Sequence, residues 1–161
     1  MSGVYDFTVM DIHDRMVSLG AWRGQVLLIV NTASRCGFTP QYADLEVLQQ
    51  RYRERGFSVL AFPCNQFGGQ EPEANAGIQA FCATQFGLSL PLFSKVEVNG
   101  PAAAPLFQFL RRQAPGLFGS TAIKWNFTKF LVRRDGSVFR RYSPMTPPLA
   151  LSADIENLLA D

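Results

Sequence analysis

A chain of 161 residues, 47% hydrophobic and 17% charged, can bury one sizeable core and is too apolar to stay disordered, so a single domain over 1–161 is expected. A net charge of only +2 argues against nucleic-acid binding by bulk electrostatics, and no apolar run is long enough for a membrane-spanning helix. The opening Met1-Ser2-Gly3-Val4-Tyr5-Asp6-Phe7 has neither the basic start nor the apolar centre of a secretory signal, which makes the reducing cytoplasm the expected location.

Along the chain, residues 4–10 and 16–18 read as a short N-terminal β-hairpin. The run Val26-Leu27-Leu28-Ile29-Val30 predicts a fully buried strand over 25–31. Thr39 followed by Pro40 has the pattern of an N-cap with proline at the first helical position. The helix predicted over 40–54 sets Tyr42, Leu45, Leu48 and Tyr52 on one face and stops at Gly56. A second central strand follows at 57–62, and a long loop from Pro63 to Pro72 leaves its end. The helix predicted over 73–86 places Ile78, Phe81, Cys82 and Phe86 together. Residues 90–98 are strand-like and 105–113 helical. Strands at 127–133 and 137–142 flank Asp135-Gly136, a strong hairpin signal, and a last helix is expected over 152–160. The alternation predicts an α/β sheet with helices on both faces. In such sheets functional loops gather at the carboxyl ends of the strands. Three stretches stand out on that rule: the Cys36 loop, the Pro63–Pro72 loop and the segment entering 127–133.

Three cysteines, at 36, 64 and 82, do not make a disulfide scaffold; in a reducing compartment they point to chemistry or to core packing. With no Cys-x-x-Cys and only one histidine, His13, neither a zinc site nor a thioredoxin-type dithiol is expected. His13 sits in the polar stretch Asp11–Arg15 and reads as a solvated turn residue. A Walker-type phosphate loop and a dinucleotide fingerprint are both missing, so no cofactor is expected. Cys36 lies in Asn31-Thr32-Ala33-Ser34-Arg35-Cys36-Gly37-Phe38-Thr39-Pro40, between a buried strand and a helix start. The positive end of the helix dipole and its free N–H groups favour the thiolate there. The competing reading is a small buried hydrophobe.

The second loop, Phe62-Pro63-Cys64-Asn65-Gln66-Phe67-Gly68-Gly69-Gln70-Glu71-Pro72, contributes Gln70, and the third, Lys124-Trp125-Asn126-Phe127, contributes Trp125 and Asn126. All three offer uncharged N–H donors. Donors converging on a sulfur stabilise its thiolate and can steady a departing alkoxide. Such a site suits peroxide reduction: the thiolate attacks one peroxide oxygen, the other leaves with the bonding electrons, and the cysteine becomes a sulfenic acid. Singly, each residue also has a plainer reading as a loop amide, a core aromatic or a turn residue.

Together these segments resemble the glutathione peroxidase family. The resemblance runs from about Val4 to Leu159 and rests on Asn31–Gly37, on Phe62–Phe67, on Gln70-Glu71-Pro72 and on Trp125-Asn126-Phe127 with Lys129-Phe130. Phe93-Ser94-Lys95-Val96 before Asn99-Gly100, and Arg141-Tyr142-Ser143-Pro144, match it as well. It implies a thioredoxin-like fold, a central mixed β-sheet flanked by helices, with the N-terminal β-hairpin as an extension. It also implies that Cys36 is the peroxidatic residue, where many animal members carry selenocysteine, and that Gln70, Trp125 and Asn126 are its activating group. Cys82, within Phe81-Cys82-Ala83-Thr84-Gln85-Phe86, matches the resolving cysteine of the thioredoxin-dependent branch; Cys64 matches a cysteine that usually does not resolve. The stretch Ala114–Lys124 lacks the long insertion of tetrameric members, which suggests a monomer with an open site. No basic cluster matches the glutathione-binding residues of the selenium tetramers, so thioredoxin ranks ahead of glutathione as reductant.

The implied cycle has Cys36 reduce hydrogen peroxide or an organic hydroperoxide, lipid hydroperoxides included. A Cys36–Cys82 disulfide follows, and thioredoxin reopens it by exchange. The pairings 36–64 and 64–82 are the alternatives. Three other readings compete: a peroxide sensor that relays its disulfide to a partner, a thioredoxin-like binding module with an inert thiol, and a peroxiredoxin. Against the last, Thr32 stands four residues before Cys36 and the arginine partner is unmatched. Arg133, Arg134, Arg140 and Arg141, around the Asp135-Gly136 turn, read as a solvated face, with docking to an acidic partner or to phospholipid headgroups as the sharper alternative.

Overall fold

The structure, a computed structural model, describes residues 3–161. Strands β1 (Thr8–Met10) and β2 (Met16–Ser18) form the expected N-terminal hairpin, but Val4–Asp6, read as part of its first arm, is a 3-10 turn. The main sheet has four strands: β3 (Val26–Thr32), β4 (Phe57–Pro63), β5 (Lys129–Val132) and β6 (Val138–Tyr142). Their order is β4-β3-β5-β6. The β3–β4 pair is parallel; β3–β5 and β5–β6 are antiparallel. Every residue of β3 and β4 is buried, as their unbroken apolar runs require of strands covered on both faces.

Alternation along the strands divides the core in two. Val26, Leu28 and Val30 of β3 face helix α1 (Gln41–Tyr52), while Leu27 and Ile29 face the opposite layer. Helix α2 (Asn75–Phe86) lies at the margin of the first layer and buries only Ile78 and Cys82. Helix α3 (Pro105–Gln113) packs Leu106, Phe107 and Leu110 into the second layer, and α4 (Ser152–Leu159) returns to the first with Ile155 and Leu158.

The helix expected over 40–54 is α1 with a 3-10 turn, Arg53–Arg55, closed by Gly56 at φ 92. The strand-like stretch 90–98 is not a strand. Its Pro91 carbonyl and Phe93 N–H bond to Ala61, while its Leu92 carbonyl and Ser94 N–H bond to Ile12 and Met10. The segment is threaded between β4 and the hairpin and ladders with neither, leaving two isolated bridges.

Of the basic cluster around the β5–β6 turn, Arg140 is solvated as expected, while Arg133, Arg134 and Arg141 are partly buried. Arg134 donates to the carbonyls of Gly24, Arg55 and Leu159, and Arg141 to those of Ala114, Thr121 and Ala122. Arg133 lies over the Phe139 ring, and Arg140 pairs with Asp154 at 3.5 Å. Lys129 is fully buried and donates to the carbonyls of Ser143, Pro144 and Thr146; burial pushes its ammonium down to about 7. Cations here fasten loops by gathering backbone oxygens. Among the described residues no helix is long and apolar enough to cross a membrane.

Candidate active site

Parallel β3 and β4 release their carboxyl-terminal loops at one edge of the sheet, and antiparallel β5 receives its lead-in segment at the same edge. The three stretches singled out in the sequence therefore meet. Phe127 N–H donates to the Asn31 carbonyl at 2.6 Å, and Asn31 Nδ2 donates to the Trp125 carbonyl at 3.1 Å. Cys64 N–H donates to the Thr32 carbonyl at 2.9 Å, and Arg35 N–H to the Gln70 carbonyl at 3.0 Å. These bonds knit the third stretch to β3, the second to β3, and the second to the thiol loop.

Cys36 opens the spiral that becomes α1. Thr39 N–H bonds to the Cys36 carbonyl, Gln41 N–H to that of Phe38 and Tyr42 N–H to that of Thr39. This tight lead-in leaves the Phe38 N–H aimed at Cys36 Sγ, 3.3 Å away. Thr39 does not cap α1 as expected. Its hydroxyl accepts from Cys36 N–H at 2.9 Å and donates to the Ala33 carbonyl at 2.7 Å, so it closes the thiol turn instead. Pro40, in αR conformation, precedes Gln41 without any side-chain cap, because the 3-10-like bonds already occupy the first turn. Cys36 itself is 7% exposed.

Asn126 is fully buried and its Nδ2 donates to Gln70 Oε1 at 3.1 Å. That bond leaves the Gln70 Nε2 hydrogens free. Trp125 is half-buried, touches both core layers and lies 5.8 Å from the Phe67 ring. Gly68, at φ 67, lets the second loop close on it: a Cβ there would come within 3.3 Å of the indole. The structure thus brings Gln70, Trp125 and Asn126 to the edge that carries Cys36. Among the described residues the hydrogen bond to the sulfur comes from Phe38, and none of the three bonds to it directly.

All three cysteines are free and buried. Cys82 projects from α2 into the first core layer, the layer of Cys36, and the Tyr42 hydroxyl lies beside it without a hydrogen bond of ordinary geometry. Burial, reinforced by the charge of Glu71 and opposed by Tyr42, pushes the Cys82 thiol up to about 11. Cys64 lies in the other layer, and burial raises its thiol as well. His13 is exposed on the β1–β2 turn.

Phe38 N–H is one of the free backbone donors expected at the helix lead-in. The burial of Glu71 and the role of Asn31 escaped the sequence reading. Glu71 sits in a polar, glycine-rich loop that suggests solvation, yet it is fully buried with Ser34 Oγ donating to its Oε1 at 3.0 Å. Burial pushes its carboxyl above the usual range. Asn31 left a signal that went unused: a polar residue ending an apolar run at the edge where the loops gather.

A thiol at a helix lead-in, beside a bonded amide pair and an indole, is an arrangement with known counterparts. A family model described as glutathione peroxidase matches residues 4–111. The chain is 53% identical over 161 residues to the hydroperoxy fatty acid reductase gpx1 of Synechocystis, covering 97% of this chain and 95% of that protein. The crystal structure of T. cruzi GPX1 matches with a TM-score of 0.82 at 38% identity, covering 99% of this chain and 97% of that one. A thioredoxin family thiol:disulfide interchange protein from Chlorobium tepidum shares the fold alone, with a TM-score of 0.67 at 16% identity over 98% of this chain and 96% of its own. The chain belongs to the glutathione peroxidase family: it has a thioredoxin-like fold and is a peroxidase, an oxidoreductase that reduces hydroperoxides.

Proposed function

We propose that Cys36 is the peroxidatic nucleophile of a single-domain, monomeric, cytoplasmic enzyme, that Gln70, Trp125 and Asn126 are its activating donors, and that Cys82 resolves it. The observation that carries this reading is the convergence at one sheet edge of Cys36, with Phe38 N–H on its sulfur, and the bonded Gln70–Asn126 pair. The thiolate attacks the nearer peroxide oxygen, forming an S–O bond as the O–O bond breaks. The departing alkoxide takes a proton and leaves as alcohol, with neutral N–H groups steadying its charge. Cys82, as thiolate, then attacks the sulfenic sulfur; the S–S bond forms, hydroxide leaves and takes up the proton given by the thiol, and the product is water.

The shared core layer of Cys36 and Cys82 supports their pairing over one with Cys64. Bonding requires the two Cα atoms within about 7 Å; if they start farther apart, α2 must yield locally. Thioredoxin is the proposed reductant, ahead of glutathione. The substrates are hydrogen peroxide and organic hydroperoxides, lipid species among them. A cavity of about 440 Å³ is lined by Leu117, Ala122, Lys124, Thr128 and Pro144, on either side of Trp125-Asn126 in the chain, and exposed Leu117, Phe118 and Met145 suit an apolar chain. The name of the Synechocystis relative agrees with such a substrate.

The test is an NADPH-coupled assay that supplies either thioredoxin with its reductase or glutathione with its own. Wild type turns over with thioredoxin, Cys36→Ser does not, and Cys82→Ser reacts with peroxide but gives no sustained NADPH oxidation. Faster turnover with glutathione would overturn the choice of reductant. A wild type that stalls after one oxidation would make the protein a sensor.

A further inference from the structure

Three tethers join the thiol loop to the loop carrying Gln70, and they differ in kind. Arg35 pairs with Glu73 at 3.3 Å, but both side chains are well exposed, so solvent screens the pair. Arg35 N–H bonds to the Gln70 carbonyl at 3.0 Å, a backbone contact indifferent to side chains. The third is the bond from Ser34 Oγ to Glu71 Oε1 at 3.0 Å, made to a carboxyl that is 0% exposed.

Among the described residues no other group bonds to that carboxyl. Its second oxygen is buried without a partner. Lys95 turns its ammonium to the backbone carbonyls of Glu71 and Glu73, not to the side chain. The Glu71 backbone is itself fixed, with its N–H donating to Asn65 Oδ1 at 2.9 Å. A side chain rooted at both backbone atoms thus makes one directed bond, to the residue two before Cys36. The residue preceding it is Gln70, whose amide is already engaged by Asn126. The geometry points to Glu71 as a positioning residue for the peroxide step: its buried carboxyl clamps Ser34 and so fixes the spacing between Cys36 and the Gln70 amide. The inference rests on the reading of Cys36 as nucleophile and Gln70 as donor. Such spacing matters because small misplacements of reacting groups cost large factors in rate. A hydrogen bond to a buried carboxyl holds it well, since breaking it strands the Glu71 carboxyl away from water. Glutamine keeps a carbonyl oxygen of the same size where Glu71 Oε1 accepts from Ser34.

The experiment follows single-turnover oxidation of Cys36 by hydrogen peroxide, and separately the reduction of the oxidised enzyme by dithiothreitol. Ser34→Ala and Glu71→Leu each slow oxidation about tenfold, and the double variant is no slower than either, because both remove one interaction. Glu71→Gln, which keeps an acceptor for Ser34, stays within about threefold of wild type, and Glu73→Gln is unchanged. Dithiothreitol reduction is the same in all. Wild-type oxidation in Ser34→Ala, multiplicative losses in the double variant, or an equal slowing of the dithiothreitol step would overturn the clamp. Should Glu71→Leu fail to fold, Ser34→Ala and Glu71→Gln decide the matter. A Gln70→Ala arm separates the two layers of argument. If it slows oxidation while the Ser34 and Glu71 variants do not, only the clamp fails; if it has no effect, the reading beneath the clamp fails and takes the clamp with it.

Discussion

At Cys82, burial and reactivity pull in opposite directions. The thiol is 1% exposed and, through burial first and the Glu71 charge second, is pushed up to about 11. The ordinary value for such a thiol is 9.0. Between those values the folded protein binds more protons than the unfolded one, so the thiol's contribution is complete below about 9 and is lost as the pH climbs toward about 11. At about 1.4 kcal/mol per unit, roughly 2–3 kcal/mol is at stake. Denaturant unfolding at about pH 8 and about pH 10.5 checks this: wild type loses more stability across the interval than Cys82→Ala, which has no thiol to titrate. Parallel losses would mean that the thiol titrates as it does in water. The same burial keeps Cys82 protonated, and poorly nucleophilic, at neutral pH. Its chemistry therefore depends on the helix that holds it.

That helix, α2, is built to yield. It buries two side chains, Ile78 and Cys82, and Gly87 at φ 57 ends it with Leu88 N–H returning to the Cys82 carbonyl. Few buried apolar contacts mean a low free energy of local opening, and opening returns the thiol to water and to its ordinary range. Gly77 lowers the barrier further, since glycine in a helix interior costs about 1 kcal/mol relative to alanine. A Cβ at Gly77 would meet the Cβ of exposed Glu73 at 3.3 Å, a neighbour able to shift. Gly77→Ala is therefore expected to slow Cys36–Cys82 disulfide formation by up to about fivefold while sulfenic acid forms at the wild-type rate. Rapid-quench mass spectrometry separates the two steps, and equal disulfide rates would show that α2 stays closed. Elements of this kind were legible in the sequence because their signals are local: the apolar runs of β3 and β4, the helical spacing of Tyr42, Leu45 and Leu48, the Asp135-Gly136 turn. Residues 90–98 misled because their partners alternate between β4 and the hairpin, which no local pattern encodes. Thr39 misled because the thiol turn took both hydrogen-bonding roles of its hydroxyl. In the site, Cys36, Gln70, Trp125 and Asn126 could be nominated by the chemistry of their side chains. The burial of Glu71 could not, because it depends on what packs over the loop.

Across the whole molecule the sheet acts as a partition. On β4, Val59 and Ala61 face the layer of α1, while Leu60, Phe62 and then Cys64 face the layer of α3. Cys36 and Cys82 belong to the first layer, so two cysteines close in sequence terms, 64 and 82, are separated by the sheet, and the sheet also stands between 36 and 64. A Cys36–Cys64 bond would require the second loop to give up the Cys64–Thr32 backbone bond and to pull the thiol out from its layer, where Phe62 stacks on Phe93 at 4.5 Å. Opening α2 gives up the burial of Ile78 and Cys82 and the packing of Phe81 and Phe86 at the margin of one layer and leaves the sheet intact, which favours the route to Cys82. The partition predicts the fate of the enzyme without Cys82, the proposed resolver. Cys82→Ser treated with one equivalent of peroxide should accumulate Cys36 sulfenic acid, trapped by dimedone, with Cys64 still alkylatable after unfolding. Excess peroxide should carry Cys36 on to sulfinic acid, because no second thiol intercepts it. A Cys36–Cys64 cross-linked peptide in the digest would show that the second loop crosses the sheet edge, and the partition would no longer decide which cysteine resolves.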